Sequence, residues 1–292
     1  QELGGVLAAV PFSSSVYLAT EAITCFGSTE QKERYLPKLA SGEWVGTLAL
    51  SEGPLAPSPT NLTVARSGDT VSGKKLVVPH GLAADFAVVL VTSDAGTDLV
   101  LAGLEAVERN AVEIVDPSIA AATIDFAQTP CESLGEPGDG WTMLETLQHR
   151  AAVLYAFEQI GGAEQALNMA VAYAKERVQF GRAIGSFQAY KHRLADMMIE
   201  IEQARSAVYW AACAADEQSS DLPLALHAAK SFAADTYAKC AGDMIQLHGG
   251  IGFTWEHDAH LFFKRARAIQ SMLGNGNWHR EQVASMILGE AA

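Results

Sequence analysis

Apolar positions along this chain change their period twice, and each change marks a new kind of structure. From residue 1 to about 45 they recur at helical spacing, with Leu7, Ala8, Val10, Val16, Leu18, Ala19, Ala22 and Ile23 on one face. Ser28-Thr29-Glu30-Gln31 has the form of a helix start, and Gly27 and Pro37 punctuate the region. From Gly46 to about Gln128 the pattern shortens to β-branched runs broken by turn residues. These are Thr47–Leu50, Asp69–Ser72, Lys75–Val78, Phe86–Thr92, Leu99–Ala102, Val112–Val115 and Ala122–Phe126. Runs so short and so evenly spaced predict an antiparallel barrel or sandwich. Glu136-Pro-Gly-Asp-Gly140 is a loop and a boundary. Beyond Trp141 the helical period returns and predicts helices at about 141–178, 186–218, 222–248 and 276–290, with a shorter one near 257–270. Long one-sided helices joined by short breaks predict a bundle. The expected domains are therefore 1–45 (helical), 46–135 (β) and 136–292 (helical bundle), a mixed α and β chain that is mainly α.

Composition narrows the classes. The 292 residues are 49% hydrophobic and 18% charged, enough apolar surface for a sizeable core. No apolar run reaches the length of a membrane span. Gln1-Glu-Leu-Gly-Gly5 has no basic leader, and the missing initiator Met implies that residues upstream are absent from this sequence. A net charge of -14 argues against nucleic acid as a partner. Local cations and helix N-termini still allow an anionic ligand. Cys25, Cys131, Cys213 and Cys240 are far apart, with no paired spacing and no clustered histidines. That pattern fits reduced thiols in a cytoplasm, with no metal site.

Two segments carry the chemistry. The first is Arg177-Val-Gln-Phe-Gly-Arg-Ala-Ile-Gly-Ser-Phe-Gln188, continuing through Ala189 to Met197; the second is Gln246-Leu-His-Gly-Gly-Ile-Gly-Phe253. Arg177 supplies a forked set of donors suited to phosphate, Gln188 and Gln246 can donate and accept, and Gly249 and Gly250 let backbone approach a ligand. The plainer alternative is a helix-end salt bridge at Arg177 and a glycine cap at Gly249-Gly250. In this order and spacing the two segments resemble the acyl-CoA dehydrogenase family over almost the whole chain. The resemblance implies a helical N-terminal part, a middle β domain, a C-terminal four-helix bundle and FAD as cofactor. It also implies that Arg177, Phe180, Gln188, Gln246, Gly249 and Gly250 contact the FAD of a partner subunit.

Other segments depart from the family pattern. A Ser/Thr-Glu-Pro-x-x-Gly-Ser-Asp loop is expected to face flavin and acyl-CoA. Here Gly46-Thr-Leu-Ala-Leu-Ser-Glu52 begins as it should, but Gly53-Pro-Leu-Ala-Pro-Ser-Pro59 follows, and its three prolines remove N–H donors. Where the family places Trp-Ile-Thr/Ser-Asn, this chain has Val77-Val78-Pro79-His80. The glutamate that serves as base lies before a glycine in the family; here Leu273 precedes Gly274. The other family position for an acid, just before an arginine, holds His149 before Arg150. Imidazole can abstract a proton, but a partly buried bundle histidine is the simpler reading. Glu145 and Glu158 read as ordinary helix or structural acids. Glu256 and His260, at i,i+4, read as a polar helix start, with Lys264, Arg265 and Arg267 near a nucleotide or subunit contact.

The resemblance therefore implies three alternatives. One is the reduced subunit of a bacterial heterotetrameric acyl-CoA dehydrogenase, of the kind acting in fatty acid or sterol degradation, completing the FAD site of a paralogous partner. Another is a homo-oligomeric enzyme with an unconventional base. The third is a non-catalytic scaffold of the same fold. For the first two the implied substrate is an acyl-CoA and the electron acceptor an electron-transfer flavoprotein.

Overall fold

The computed structural model describes residues 1–289. By contacts the chain forms two compact units: Ala9–Ala151, and Gln1–Ala8 together with the chain from Ala152 on.

The first of these begins with a π-type turn, Ser13–Thr20, which runs directly into α2 (Glu21–Phe26); α1 (Glu2–Gly5) belongs to the other unit. Gly27 ends α2, and α3 (Thr29–Ser41) starts on a capping box in which Ser28 accepts from Gln31 N–H and Gln31 returns a bond to Ser28 N–H. Pro37 does not punctuate the helix as expected. It lies inside α3 on the exposed side, where the carbonyl it leaves unpaired faces water.

The strands are β1 (Gly46–Ala49), β2 (Ala65–Ser67), β3 (Thr70–Pro79), β4 (Phe86–Ser93), β5 (Gly96–Gly103), β6 (Glu108–Val112) and β7 (Ala121–Leu134). Their order is β1-β4-β2-β3-β7-β5, and β4 also pairs with β5, so the sheet closes into a small barrel with β6 added on β7. Closure removes the exposed edge that a short-stranded sheet would otherwise offer. The barrel is not wholly antiparallel. β1 and β2 lie one after the other along the same side of β4, both parallel to it, at Gly46↔Phe86 and Ala65↔Thr92. The predicted runs Asp69–Ser72 and Lys75–Val78 are one strand, β3, with register shifts between Val71 and Gly73 and between Lys75 and Val78. β6 lies earlier than the predicted Val112–Val115 because it pairs with Ala121–Asp125 of β7. Ala87, Val89 and Val91 of β4 point into a core shared with Val100, Ile124 and Phe126. Phe86, on the opposite face, packs against Tyr35 of α3 at 4.8 Å.

The other unit consists of α1 and the helices that follow the barrel. These are the C-terminal part of α4 (Gly140–Glu176), then α5 (Gln188–Asp216), α6 (Leu222–His248), α7 (Ala259–Gln270) and α8 (Gly276–Leu288). The predicted end of the last helix, residue 290, lies outside the described residues. α5 buries a single stripe, Met197, Ile201, Ala204, Val208, Ala211 and Ala214, against α6, which is buried on most of its circumference. The predicted helix to 178 stops at Glu176, because the chain turns into a minimal hairpin of β8 (Val178–Gln179) and β9 (Arg182–Ala183). Arg265 of α7 is buried and pairs with Glu158 of α4 at 2.7 Å, so it is not the surface cation that its neighbours in sequence implied. Glu158 is accordingly structural. No described helix is long and apolar enough to cross a membrane.

Candidate functional site

The two motif segments meet at one end of the helical unit. α5 and α6 run antiparallel there: the Tyr190 hydroxyl near the start of α5 donates to Leu247 O at the end of α6 (3.3 Å), and Arg193 pairs with Asp243 at 3.0 Å. The last turn of α4 joins them through Tyr173, whose ring stacks on His248 with centroids 4.5 Å apart and planes at 24°. Arg177 follows one turn after Tyr173, Gln188 is the first residue of α5, and Gln246 and Gly249 close α6.

Each predicted residue at this end faces outward. Arg177, Phe180, Gln188, Gln246, Gly249 and Gly250 are all exposed, Phe180 at 91%. Among the described residues the Arg177 side chain makes no ion pair and no hydrogen bond, so the expected alternative of a helix-end salt bridge is not what occupies it. Its backbone does the local work: Arg177 N–H continues the helix to Tyr173 O, and Arg177 O accepts from Ile184 N–H.

Phe180 sits at the tip of the β8–β9 hairpin beside Gly181. Their φ values of 56° and 77° are both left-handed, as a two-residue hairpin loop requires. Phe180 meets Phe187 edge-on at 6.1 Å, and the Arg182 guanidinium lies 3.9 Å over the same Phe187 ring. Phe187 caps α5 by position but offers no side-chain acceptor, so the first N–H groups of this 29-residue helix are left for another partner. Gly249 does cap α6, with φ 64° and ψ -140°, a conformation reserved for glycine. Gly250 has an ordinary backbone, and a Cβ there would meet nothing within 4 Å, so nothing within this chain calls for a glycine at 250.

The donor set suits an anionic dinucleotide such as FAD: a forked cation with no partner among the described residues, two primary amides and an uncapped helix N-terminus lie at one end. Tyr190, which helps hold the end together, falls within the first motif segment, whereas Tyr173 lies outside both and is recognisable only as an aromatic one turn before Arg177.

The segments that depart from the pattern are arranged differently. In the β unit Glu52 is bonded inward: Lys75 Nζ approaches its Oε1 at 2.6 Å, and its Oε2 accepts from Thr63 N (2.6 Å), Thr63 Oγ1 (2.7 Å) and Val64 N (3.2 Å). Lys75 is fully buried and also donates to Leu50 O. Burial pushes the Glu52 carboxyl up, but Lys75 and Thr63 outweigh it and hold the group below the usual carboxylate range. The proline loop between them is tied at its neck and lines a cleft of about 180 Å³. In the next motif Val77 and His80 take left-handed φ of 51° and 54°, unusual for a β-branched residue. His80 is buried and its Nδ1 lies 3.1 Å from Ser14 Oγ.

Leu273 also has a left-handed φ, 59°. Its carbonyl accepts from His279 Nε2 at 3.0 Å, and His279 Nδ1 lies 2.7 Å from His227 Nδ1. The stretch Ser271–Asn275 holds no acid. His149 is half-buried in the β unit, and that burial, partly offset by Glu145, lowers its pKa. Arg150 beside it is held by Glu21 at 2.6 Å, and Glu145 accepts from Trp141 Nε1 at 2.9 Å.

The acyl-CoA dehydrogenase C-terminal domain matches residues 138–288, and the acyl-CoA dehydrogenase N-terminal domain matches residues 1–43. The chain belongs to the acyl-CoA dehydrogenase family. Acyl-CoA dehydrogenase FadE34 of Mycobacterium tuberculosis is 36% identical over 269 residues, which cover 91% of this chain and 35% of that protein. The chain thus spans about a third of FadE34. An acyl-CoA dehydrogenase of Bacillus subtilis is 32% identical, over 99% of this chain and 80% of its own length. Among solved structures, the ChsE4–ChsE5 complex from Mycobacterium tuberculosis is similar with a TM-score of 0.87 at 26% identity, covering 99% of this chain and 79% of that one. The acyl-CoA dehydrogenase fold expected from the motifs is the fold of this chain.

Proposed function

We propose that this chain is a subunit of an FAD-dependent acyl-CoA dehydrogenase that completes a partner's FAD site and lacks a catalytic base of its own. The reaction is α,β-dehydrogenation of an acyl-CoA thioester, with electrons passed to an electron-transfer flavoprotein. One contrast carries the reading. Arg177, Gln188, Gln246 and Gly250 lie on an exposed end with no side-chain bond among the described residues, while the family's positions for flavin loop and base hold a self-tied proline loop and Leu273. Similarity to a structure whose components are two named proteins, ChsE4 and ChsE5, supports a mixed assembly.

FAD, when bound, supplies the hydride acceptor. This chain's own residues would hold its charged part: Arg177 by paired N–H donors, Gln188 and Gln246 by their amides, Gly249 and Gly250 by close backbone approach, and Phe180 by apolar cover. The family matches at 1–43 and 138–288 support reading 1–45, 46–135 and 136–292 as the helical, β and bundle domains.

The test is bound FAD per chain, measured on this protein purified alone and after co-expression with a neighbouring acyl-CoA dehydrogenase paralogue. Flavin that loads only with the partner, at one FAD per pair of chains, is the expected result. Full loading and turnover by this chain alone would replace the proposal with a homo-oligomeric enzyme and make His149 the residue to mutate. No flavin in either preparation would leave a scaffold.

A further inference from the structure

Three rings from three elements stack beneath the end of the helical unit that bears Gly249. Tyr173 of α4 lies on His248 of α6 (4.5 Å, 24°), and His248 lies against His257 of the turn before α7 (4.3 Å, 50°). The two histidines pin the segment between them at both ends. That segment holds Gly249 and Gly250 and exposes Ile251, Phe253 and Trp255.

Hydrogen bonding fixes where each imidazole carries its proton. His248 is buried, and its Nδ1 lies 2.7 Å from Met244 O, an acceptor only; Nδ1 therefore carries the hydrogen and Nε2 is where a second proton adds. His257 Nδ1 accepts from Ala259 N–H at 3.1 Å, so its neutral form is protonated on Nε2, and a second proton must land on Nδ1. Acidification therefore does two things at once. It places like charges on rings 4.3 Å apart, and it removes the acceptor that holds the first N–H of α7.

Among the described residues no carboxylate bonds to either ring. Tyr173 faces His248 from α4 and Tyr190 reaches Leu247 O from α5. Asp243, one turn back on α6, is already held by Arg193 at 3.0 Å and Lys239 at 3.4 Å. From α7, Lys264 lies over Trp255 at 4.2 Å, adding positive charge to the segment, and His260 meets Trp255 edge-on. Glu256 and Asp258 flank His257 in sequence, but neither bonds to either ring among the described residues. Burial, with His257 adding to it against the pull of Met244 O, holds the His248 pKa below the ordinary imidazole range.

The geometry points to a proton-operated clasp: His248 and His257 are positioning residues that hold Gly249–Asp258 in its binding form at neutral pH and let it go in acid. The consequence for cofactor retention rests on the reading that this end binds FAD. The clasp itself does not, and can be read on this chain alone.

The experiment compares hydrogen exchange across 249–258, corrected for intrinsic rate, at about pH 7.5 and about pH 5. FAD release from the co-expressed complex is followed by fluorescence over the same range. In the wild type, local protection is expected to fall about tenfold on acidification, with FAD release accelerating in step. In His257→Asn the amide oxygen can still accept from Ala259 N–H but does not titrate, so both profiles flatten while protection at neutral pH is retained. A wild-type segment equally protected at both pH values, or a His257→Asn profile that matches the wild type, overturns the clasp. Exchange that responds to pH while FAD release does not would uphold the clasp and count against flavin binding at this end.

Discussion

The exposed end of the helical unit and the proline loop of the β unit use polar groups in opposite ways. At the helical end a guanidinium, two amides and a row of helix N–H groups make no bond among the described residues. In the loop after Ser51 one carboxylate takes four hydrogen bonds from Lys75, Thr63 and Val64. A folded chain satisfies buried polar groups because leaving them unpaired is costly, and it leaves exposed ones to water or a ligand. The first region is thus poised for something outside the chain, and the second is complete in itself. Family motifs alone mark only which residue types are present; the hydrogen bonds separate those bonded within the described residues from those that face outward.

The comparison can be broken most sharply at Glu52. Glu52→Ala strands a fully buried Lys75, and removing one partner of a buried pair costs about 3 kcal/mol. Denaturant unfolding should show that loss, and Glu52→Leu with Lys75→Met should recover most of it. A loss below about 1 kcal/mol would mean that the loop is not held by this knot.

Lys230 tests whether the helical unit, too, spends its buried polar groups. It is fully buried and donates to Ile269 O at 3.3 Å, sharing that carbonyl with Gln159. Burial, partly offset by Asp235, brings its pKa down to about 8 from 10.5. Between those values the unfolded chain binds the proton that the folded chain has lost, so stability rises with pH across that window, by at most about 1.4 kcal/mol per unit. Lys230→Met should abolish the rise in a series of melts from neutral pH to pH 10; an unchanged slope would move its origin elsewhere.

The smallest effect on stability, and the most telling, is expected at Arg177. Arg177→Ala removes no internal bond, so the melting free energy should stay within about 0.5 kcal/mol of wild type. FAD retention in the assembled complex should fall at least about tenfold, the loss of one charge-assisted bond. A variant that melts early, or one that keeps its flavin, would erase the contrast between the two regions.

Much of this was legible in the sequence. Helices α4, α5 and α6 lie within two residues of their predicted limits because an apolar stripe sustained over eight turns has no competing reading. The helix start at Ser28 was readable from a different local signal, the polar run Ser28-Thr29-Glu30-Gln31, and the structure shows it to be a capping box. The parallel pairing of β1 and β2 with β4 and the pairing of β3 with β7 were not, since these strand neighbours are chosen by contacts far apart in sequence. β8 and β9, two residues each, are too short to carry any period. At the candidate site the motifs gave the six exposed residues, but not the Tyr173–His248 stack that gathers them, nor which of the adjacent Lys74 and Lys75 is buried.

The helical unit is discontinuous, and that sets an order of events. Gln1 bonds to Glu164, 163 positions away, and α1 crosses α4 so closely that a methyl group on Gly161 would lie 1.9 Å from Gln1 O. During synthesis residues 1–8 cannot dock on α4 until it emerges, by which time the whole barrel has been made. The barrel, all of whose strands precede α4 in the chain, can close while residues 1–8 are still undocked. A side chain larger than glycine at 161 would therefore betray itself late, as a barrel already folded and an α1 with nowhere to lie.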